Sequence, residues 1–284
     1  AAKGSTMTRV AAVIVTSNSE RWLEQTLASV VAQTRQPDEI VIVDDRSTDS
    51  TRAIIDRVLH DRAQVHTSRA SAADLSTRIA GNFREGLMAA RTCDIAVLGD
   101  HDDVWLPDRI ERQVGLLETW PEMDMLASDG RLVDVFGNLV PGSLRSTFPV
   151  PRGFNDLDPA SQMRAVIRRS VATGGASAVR PRAFVDVEIP AGWLHDRWWS
   201  LVATSREALR LDDEAVIDYR ISPGQEVGLD RGHQARAALD RVGEGIKAAG
   251  STARRVRDLQ ALSHDATRAT AAELRGARLL RNLL

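Results

Sequence analysis

The chain has 284 residues, 43% of them hydrophobic and 27% charged, and a formal net charge of −2 at pH 7. This composition is ordinary for a soluble globular protein of one large or two small domains. No apolar run approaches the roughly 18 residues of a membrane span, and the N-terminus lacks a signal peptide's apolar region. We therefore expect a cytoplasmic protein, with a native start at Met7 after an expression remnant.

The cysteine count and the charge distribution argue against several kinds of functional site. The single cysteine, Cys93, excludes an internal disulfide and a cysteine-based metal cage. Residues 231–284 hold 11 Arg or Lys and 5 Asp or Glu, so the preceding part of the chain carries a net negative charge. We therefore do not expect that part to bind nucleic acid. The basic segment could contact a membrane surface peripherally, form a homodimer contact, or be a solvated helical face.

The N-terminal third alternates predicted strands with predicted helices. Apolar runs at 10–15, 39–43 and 95–98 predict three strands. Apolar residues at helical spacing follow the first two strands, namely Leu23, Leu27, Val30 and Val31 and then Ile54, Ile55, Val58 and Leu59. This βαβαβ order predicts an α/β fold with a mainly parallel sheet flanked by helices.

Acidic residues follow two of these strands. Asp44 and Asp45 end the second strand, and Asp100 and Asp102 end the third. Because ligands of open α/β sheets lie outside the carboxyl ends of the strands, we expect these side chains and Thr16 to converge on one crevice. Carboxylates are ligands that Mg²⁺ and Mn²⁺ prefer, although an isolated acidic pair is more often a solvated turn.

The rest of the chain offers fewer patterns. Residues 107–120 predict a helix, and residues 137–160, rich in Gly, Pro, Ser and Asp, predict a mobile loop. Residues 193–199 hold three of the six tryptophans, around His195 and Asp196. Such aromatic faces stack on carbohydrate rings, but core packing is an equal alternative.

Seven ordered segments resemble motifs of the inverting family 2 glycosyltransferases of GT-A fold, in particular the bacterial rhamnosyltransferase-like branch. The family marker D-Q-D-D-V-W is similar to residues 100–105, with His101 in place of glutamine. The other matching segments are residues 15–23, 29–34, 44–49 (with Arg46 in place of glycine), 81–83, 195–198 and 219–220. The largest departure is Ser222, where the family usually carries a histidine.

The elements and the resemblance together predict the domain organisation. We expect a GT-A glycosyltransferase domain over residues 7–228, with a nucleotide-binding half at 7–105 and an acceptor half at 106–228. Residues 229–284 are expected to form a helical C-terminal extension.

The resemblance also implies a reaction and a set of site residues. The reaction is metal-dependent, inverting transfer of a sugar from a nucleoside diphosphate donor, with dTDP-rhamnose favoured, to a bacterial glycan or lipid-linked acceptor. It implies Mn²⁺ or Mg²⁺ held by Asp102 and Asp100, and Asp196 as the catalytic base. The residues expected to bind the nucleotide-sugar are Thr16, Asn18, Asp44, Asp45, Asn82, Asp100 and Arg220, and those expected to contact the acceptor are Trp193, Trp199 and His195.

The residues by themselves leave two other functions open. A nucleotidyltransferase would also place metal-binding acids at strand ends, but residues 16–19 are not the glycine-rich, basic loop that would grip its phosphates. A partner subunit that binds glycan or nucleotide without turnover is the second alternative, because Arg46 and Ser222 depart from the family motifs.

Overall fold

The computed structural model describes residues 7–72, 74–222 and Asp258, which form one nine-stranded sheet flanked by α-helices. The strands are β1 (Val10–Thr16), β2 (Glu39–Asp44), β3 (Ala63–Thr67), β4 (Ile95–Asp100), β5 (Val104–Trp105), β6 (Met125–Val133), β7 (Leu139–Ser143), β8 (Ser177–Val179) and β9 (Leu209–Arg220). The helices are α1 (Leu23–Val31), α2 (Thr51–Leu59), α3 (Leu75–Ala89), α4 (Arg109–Thr119), α5 (Leu144–Thr147), α6 (Pro159–Arg168), α7 (Pro181–Phe184) and α8 (His195–Ser205).

The sheet is mostly parallel. Its strand order is β3-β2-β1-β4-β8-β6-β9-β5, with β7 paired to β6. The pairings make β1, β2, β3, β4, β6 and β9 run in one direction, whereas β5, β7 and β8 run in the other. The predicted α/β architecture with a mainly parallel sheet is therefore confirmed.

Strand β1 shows why the predicted pattern is so apolar. All of its residues are buried, because helices cover both faces of the sheet. Val13 packs in one core with Phe83 of α3, whereas Ile14 packs in the opposite core with Leu23 and Leu27 of α1. A strand buried on both faces cannot alternate apolar with polar residues, and its sequence is a continuous apolar run.

The segment 137–160 is more regular than predicted. It contains β7 and α5, so the expectation of an irregular loop is wrong there. The backbone N–H of Arg145 donates to Asp129 Oδ1 at 2.7 Å, and the Arg145 guanidinium donates to the carbonyl of Val171 at 3.0 Å. These long-range hydrogen bonds are absent from any local sequence pattern, which explains the wrong prediction.

Other expectations divide between confirmed and undescribed parts of the chain. The predicted helix at 107–120 corresponds to α4, and Cys93 is buried as a small core residue. The predicted helical extension, membrane contact and dimer contact lie outside the described residues, apart from Asp258, whose carboxylate accepts a hydrogen bond from Trp193 Nε1 at 2.8 Å. Within the described part of the chain, every helix is too short or too polar to cross a membrane.

Candidate active site

A cavity of about 650 Å³ lies at the carboxyl ends of β1 and β4. This volume is in the usual range of small-molecule sites. The predicted site residues that line it are Asn18, Asp45, Asn82, Asp100, Asp102, His195 and Asp196. The structure therefore brings side chains that follow the strands in the first half of the sequence together with His195 and Asp196 from the second half.

The acidic motif begins at the end of β4 and packs against a glycine pair. The backbone N–H of Gly175 bonds to Asp100. A Cβ on Gly175 would lie 2.7 Å from Asp100 Oδ2 and 3.0 Å from Asp103 Oδ2, so a side chain at this position would displace both carboxylates. Glycine is required here because two carboxylates approach the backbone closely.

Crowding and burial make these carboxylates difficult to ionise. Burial, together with the neighbouring charges of Asp102 and Asp196, raises the pKa of Asp100 to about 7. Burial, together with Asp102 and Asp100, also raises the pKa of Asp103 well above its usual range. The buried guanidinium of Arg109 opposes both shifts, but by less than burial raises them.

This charge distribution fits a divalent cation. Asp100 and Asp102 both line the cavity and would be its protein ligands. Over the described residues there is no preformed group of three or more His, Cys, Asp or Glu side chains around a metal position. Two carboxylates suit Mg²⁺ or Mn²⁺, which usually take their remaining oxygens from water and substrate phosphates. Ser222 lines the same cavity at the position of the family histidine.

Arg220 supports the acidic turn rather than the cavity. Its backbone N–H donates to Asp103 Oδ1, and its Nε donates to the carbonyl of Asp102, both at 3.0 Å. The guanidinium also donates to the carbonyl of Asp134 and to Gln25 Oε1. Arg220 is 2% exposed, and it does not line the cavity. These hydrogen bonds give Arg220 a structural role, and its predicted contact with the nucleotide-sugar stays a prediction.

Asp196 lies in the first turn of α8 and faces the cavity. Its Oδ2 accepts a hydrogen bond from the backbone N–H of Gly174 at 3.1 Å, and its Oδ1 accepts one from the backbone N–H of Arg197 at 2.6 Å. Burial raises the pKa of Asp196 to about 6, although these two hydrogen bonds lower it. The carboxylate is thus ionised at neutral pH and more basic than an ordinary aspartate.

The two tryptophans predicted to contact the acceptor are core residues. Trp199 is fully buried and packs against Phe184, with ring centroids 5.4 Å apart. Trp193 is 4% exposed and packs against Trp198. Neither Trp193 nor Trp199 lines the cavity, and the burial of both side chains favours the packing alternative. His195 does line the cavity, next to Asp196.

Thr16 and Asp44 are the last residues of β1 and β2. Thr16 is fully buried, and its hydroxyl donates to Ser19 Oγ at 2.7 Å. Asp44 Oδ1 accepts a hydrogen bond from the Ser47 hydroxyl at 2.5 Å. Neither Thr16 nor Asp44 lines the cavity, and their predicted contacts with the nucleotide-sugar stay predictions.

The three remaining candidates do face the cavity. Asn18 has a positive φ of 46°, and its Oδ1 accepts a hydrogen bond from the backbone N–H of Thr48 at 2.9 Å. Asp45 forms ion pairs with Arg78 at 2.8 Å and with Arg46 at 3.0 Å. Asn82 accepts a hydrogen bond from the Ser68 hydroxyl. These side chains are held by neighbours, so their orientation is set before a ligand binds.

The comparison with known protein families agrees with this geometry. Residues 11–173, more than half of the chain, match the family described as glycosyl transferase family 2. The chain belongs to glycosyl transferase family 2.

Two curated relatives share part of this family 2 domain. An uncharacterised glycosyltransferase of Nostoc sp. is 35% identical over 39% of this chain and 33% of its own length. The Escherichia coli enzyme WfaP, a UDP-Glc:alpha-D-GlcNAc-diphosphoundecaprenol beta-1,3-glucosyltransferase, is 28% identical over 40% of this chain and 43% of its own length. The chain therefore spans less than half the length of either relative.

Solved structures establish the fold of the family 2 chain. Staphylococcus aureus TarS 1–349 in complex with UDP-GlcNAc superposes with a TM-score of 0.56 and 16% identity, over 97% of this chain and 71% of that one. Mycobacterium tuberculosis glucosyl-3-phosphoglycerate synthase, in complex with Mn²⁺, UDP and glucosyl-3-phosphoglycerate, superposes with a TM-score of 0.53 and 17% identity, over 76% of this chain and 74% of that one. The predicted GT-A fold is confirmed.

Sequence reasoning missed two features of this family 2 cavity. Arg78 lines it and pairs with Asp45, and the signal was its position one helical turn before Asn82. The hydrogen bond from Gly174 to Asp196 was also missed, since it joins residues that are 22 positions apart and leaves no local pattern.

Proposed function

We propose that this family 2 protein transfers a sugar, with inversion, from a nucleoside diphosphate donor to a hydroxyl group of a glycan or lipid-linked glycan. One observation carries the proposal. Asp100 and Asp102, at the end of β4, line the same cavity as Asp196, at the start of α8. Inverting transfer needs these two functions together, a charged group at the leaving diphosphate and a base at the acceptor hydroxyl.

Asp100 and Asp102 would hold a divalent cation, Mn²⁺ or Mg²⁺. When bound, such an ion offsets the negative charge that develops on the departing diphosphate. The Mn²⁺ and UDP bound in the solved complex of glucosyl-3-phosphoglycerate synthase support this part of the proposal. Asp103 is buried, and its Oδ1 accepts a hydrogen bond from the backbone N–H of Arg220. This bond would stabilise the turn that carries Asp100 and Asp102.

Asp196 is the proposed catalytic base. Its carboxylate would accept the proton of the acceptor hydroxyl as the oxygen attacks the anomeric carbon, and a single displacement inverts the configuration there. The N–H groups of Gly174 and Arg197 orient the carboxylate. Its raised pKa of about 6 brings its basicity closer to neutral pH, where a general base is most effective.

We further propose a pyrimidine nucleotide as the donor. The motif resemblance favours a dTDP-sugar, dTDP-rhamnose in particular, whereas the relatives with a named donor use UDP-sugars. The diphosphoundecaprenol-linked acceptor in the name of WfaP supports a lipid-linked acceptor. A cytoplasmic location, with peripheral contact at the inner face of the plasma membrane, would give access to such an acceptor.

A donor-hydrolysis screen tests the proposal. Purified protein is incubated with UDP-, GDP- and dTDP-sugars in the presence of Mn²⁺ or Mg²⁺, and release of nucleoside diphosphate is measured. We expect hydrolysis of a UDP- or dTDP-sugar that requires the metal and is lost in Asp196→Asn. Thermal stabilisation by a nucleoside diphosphate without any turnover would instead indicate a binding subunit. Formation of a nucleotide-sugar from a nucleoside triphosphate and a sugar phosphate would indicate a nucleotidyltransferase.

A further inference from the structure

Positive charge is concentrated at the C-terminal end of α6. Arg164, Arg168 and Arg169 are all exposed. Within the part of the chain that the structure describes, none of the three forms an ion pair with an acidic side chain. Asp158 caps the opposite end of this ten-residue helix, about 15 Å away and beyond the roughly 8 Å over which exposed charges interact in physiological salt.

These arginines lie at the rim of the cavity. Arg169 is followed by Ser170, which lines the cavity. The Nη1 of Arg169 donates a hydrogen bond to the carbonyl of Pro149 at 3.3 Å, and Pro149 directly follows Phe148, another residue of the cavity wall. The guanidinium of Arg169 is therefore held between two segments that enclose the cavity.

A fourth arginine extends the positive charge into the cavity. Arg197 lines the cavity, and its Nη2 donates to the carbonyl of Ile167, in the last turn of α6, at 3.2 Å. Arg197 also directly follows Asp196, the proposed base. In a single displacement, the base and the acceptor hydroxyl lie on the face of the donor sugar opposite the leaving diphosphate. The α6 arginine cluster, Arg164, Arg168, Arg169 and Arg197, is thus on the acceptor side.

The cluster has the chemistry of a phosphate site. A guanidinium is always charged, and its planar set of N–H donors matches the oxygens of a phosphate group. Arg164 and Arg168 are four residues apart on α6, and like charges at this spacing destabilise a helix. A neutral glycan would not offset that repulsion, whereas an anionic group would.

We propose that the α6 arginine cluster binds the diphosphate that links the acceptor glycan to its lipid. This inference rests on the proposed function, because it requires a lipid-linked acceptor whose hydroxyl lies at Asp196. The cluster would then select a diphosphate-linked glycan over the same glycan in free form. The phosphate groups of an anionic membrane offer the same chemistry, and a vesicle arm of the test separates this second source.

Geranyl diphosphate is the probe, and geraniol is its uncharged counterpart. Calorimetry is run on the full chain saturated with UDP and Mg²⁺, so that the donor diphosphate position is filled. The test variant is Arg168→Gln with Arg169→Gln, and its conservative version carries lysine at both positions. The matched control is Arg52→Gln with Arg57→Gln, two exposed arginines of α2 that do not line the cavity. Thermal unfolding checks the folding of each variant.

We expect wild-type protein to bind geranyl diphosphate and not geraniol. The double glutamine variant should bind the diphosphate at least about tenfold more weakly, the effect of losing charge-assisted hydrogen bonds. The double lysine variant should keep most of the affinity, because the charge remains, and the α2 control should equal wild type. Affinity for UDP should stay within twofold in every variant. Arg197→Gln should also weaken binding of the probe.

Three results would overturn the inference. The first is wild-type protein that does not bind geranyl diphosphate. The second is equal affinity of wild type and the double glutamine variant, which would leave the arginines only a structural role at the end of α6. The third is arginine-dependent sedimentation with phosphatidylglycerol vesicles, but not phosphatidylcholine vesicles, without binding of geranyl diphosphate. That result would assign the cluster to the membrane surface.

Failure of the proposed function is a separate outcome. Wild-type protein that binds neither UDP nor dTDP would contradict the proposed function. The titration with geranyl diphosphate, repeated without nucleotide, would still show whether the arginines bind a diphosphate.

Discussion

Gly174 and Asp196 are 22 residues apart in the sequence, yet the backbone N–H of Gly174 donates a hydrogen bond to Asp196 Oδ2 at 3.1 Å. The glycine precedes β8, and the aspartate lies in the first turn of α8. This contact joins the central part of the sheet to the helix that carries the proposed base. The orientation of the base therefore depends on the backbone just before β8.

A side chain at Gly174 should disturb this arrangement. The Cβ of Gly174→Ala would lie 2.3 Å from His195 Nε2, so the imidazole and the adjacent Asp196 must shift. We expect turnover to fall at least tenfold while affinity for nucleoside diphosphate stays within a few-fold, because small misplacements of catalytic groups have large effects on rate. Steady-state kinetics and calorimetry measure the two quantities.

Gly115→Ala is the matched control for this substitution. Gly115 lies in α4, where an added Cβ meets nothing within 4 Å. Alanine is favoured over glycine inside a helix by about 1 kcal/mol, so this variant should be slightly more stable and fully active. Equal activity of the two variants would show that the contact between Gly174 and His195 is unimportant for the base.

Asp196→Asn tests the base directly. The amide has nearly the shape of the carboxylate but cannot accept the acceptor's proton, so turnover should fall by about 10² to 10⁴ while donor affinity changes by no more than a few-fold. Single-turnover kinetics and calorimetry separate the two effects. A parallel fall of donor affinity and turnover would instead assign Asp196 to binding or structure.

The activity should depend on pH through the same carboxyl group. Its pKa is raised to about 6, and the base acts only when ionised. The rate should therefore rise with pH through about 6, reach a plateau near pH 7.5, and fall about tenfold per unit on the acid side. The profile of kcat/KM is measured at saturating Mg²⁺, because protons compete with the cation for Asp100. A profile that is flat between pH 5 and 7 would contradict the assignment.

Asp102→Asn should remove most of the metal-dependent nucleotide affinity, because it replaces a charged oxygen ligand by a neutral amide. Calorimetry of UDP and dTDP with and without Mn²⁺ measures this. The control is Asp108→Asn, an exposed carboxylate whose side chain makes no capping hydrogen bond at the start of α4. If Asp102→Asn kept the full effect of Mn²⁺ on affinity, another group would have to be the ligand.

We expect Arg220→Ala to lower the stability of the protein more than it weakens nucleotide binding. The substitution leaves the carbonyls of Asp102 and Asp134 without their buried charged donor, and we expect a loss of about 3 kcal/mol in the free energy of unfolding. Arg52→Ala, at an exposed ion pair with Asp56, should cost less than about 0.5 kcal/mol. Denaturant unfolding measures the free energy of unfolding of both variants. A fully stable Arg220→Ala protein with weakened nucleotide binding would restore the direct contact expected from the sequence.

Local sequence patterns were enough to predict three strands of the sheet and the edge at which the cavity lies. Apolar runs such as that of β1 are local patterns, and they arise because both faces of a parallel sheet are covered. The position of Asp100 and Asp102 after β4, and of Asn18 after β1, follows from the same order of elements, since parallel strands end at a common edge.

Which of the candidates line the cavity depends on tertiary packing and could not be predicted from the sequence. Thr16, Trp199 and Arg220 carry suitable chemistry at suitable positions, but packing between elements distant in the sequence buries them. The burial that raises the pKa of Asp196 and encloses His195 likewise comes from packing between elements distant in the sequence. Burial and hydrogen bonding are properties of non-local packing, and a linear pattern specifies residue type and spacing without specifying which neighbours enclose each side chain.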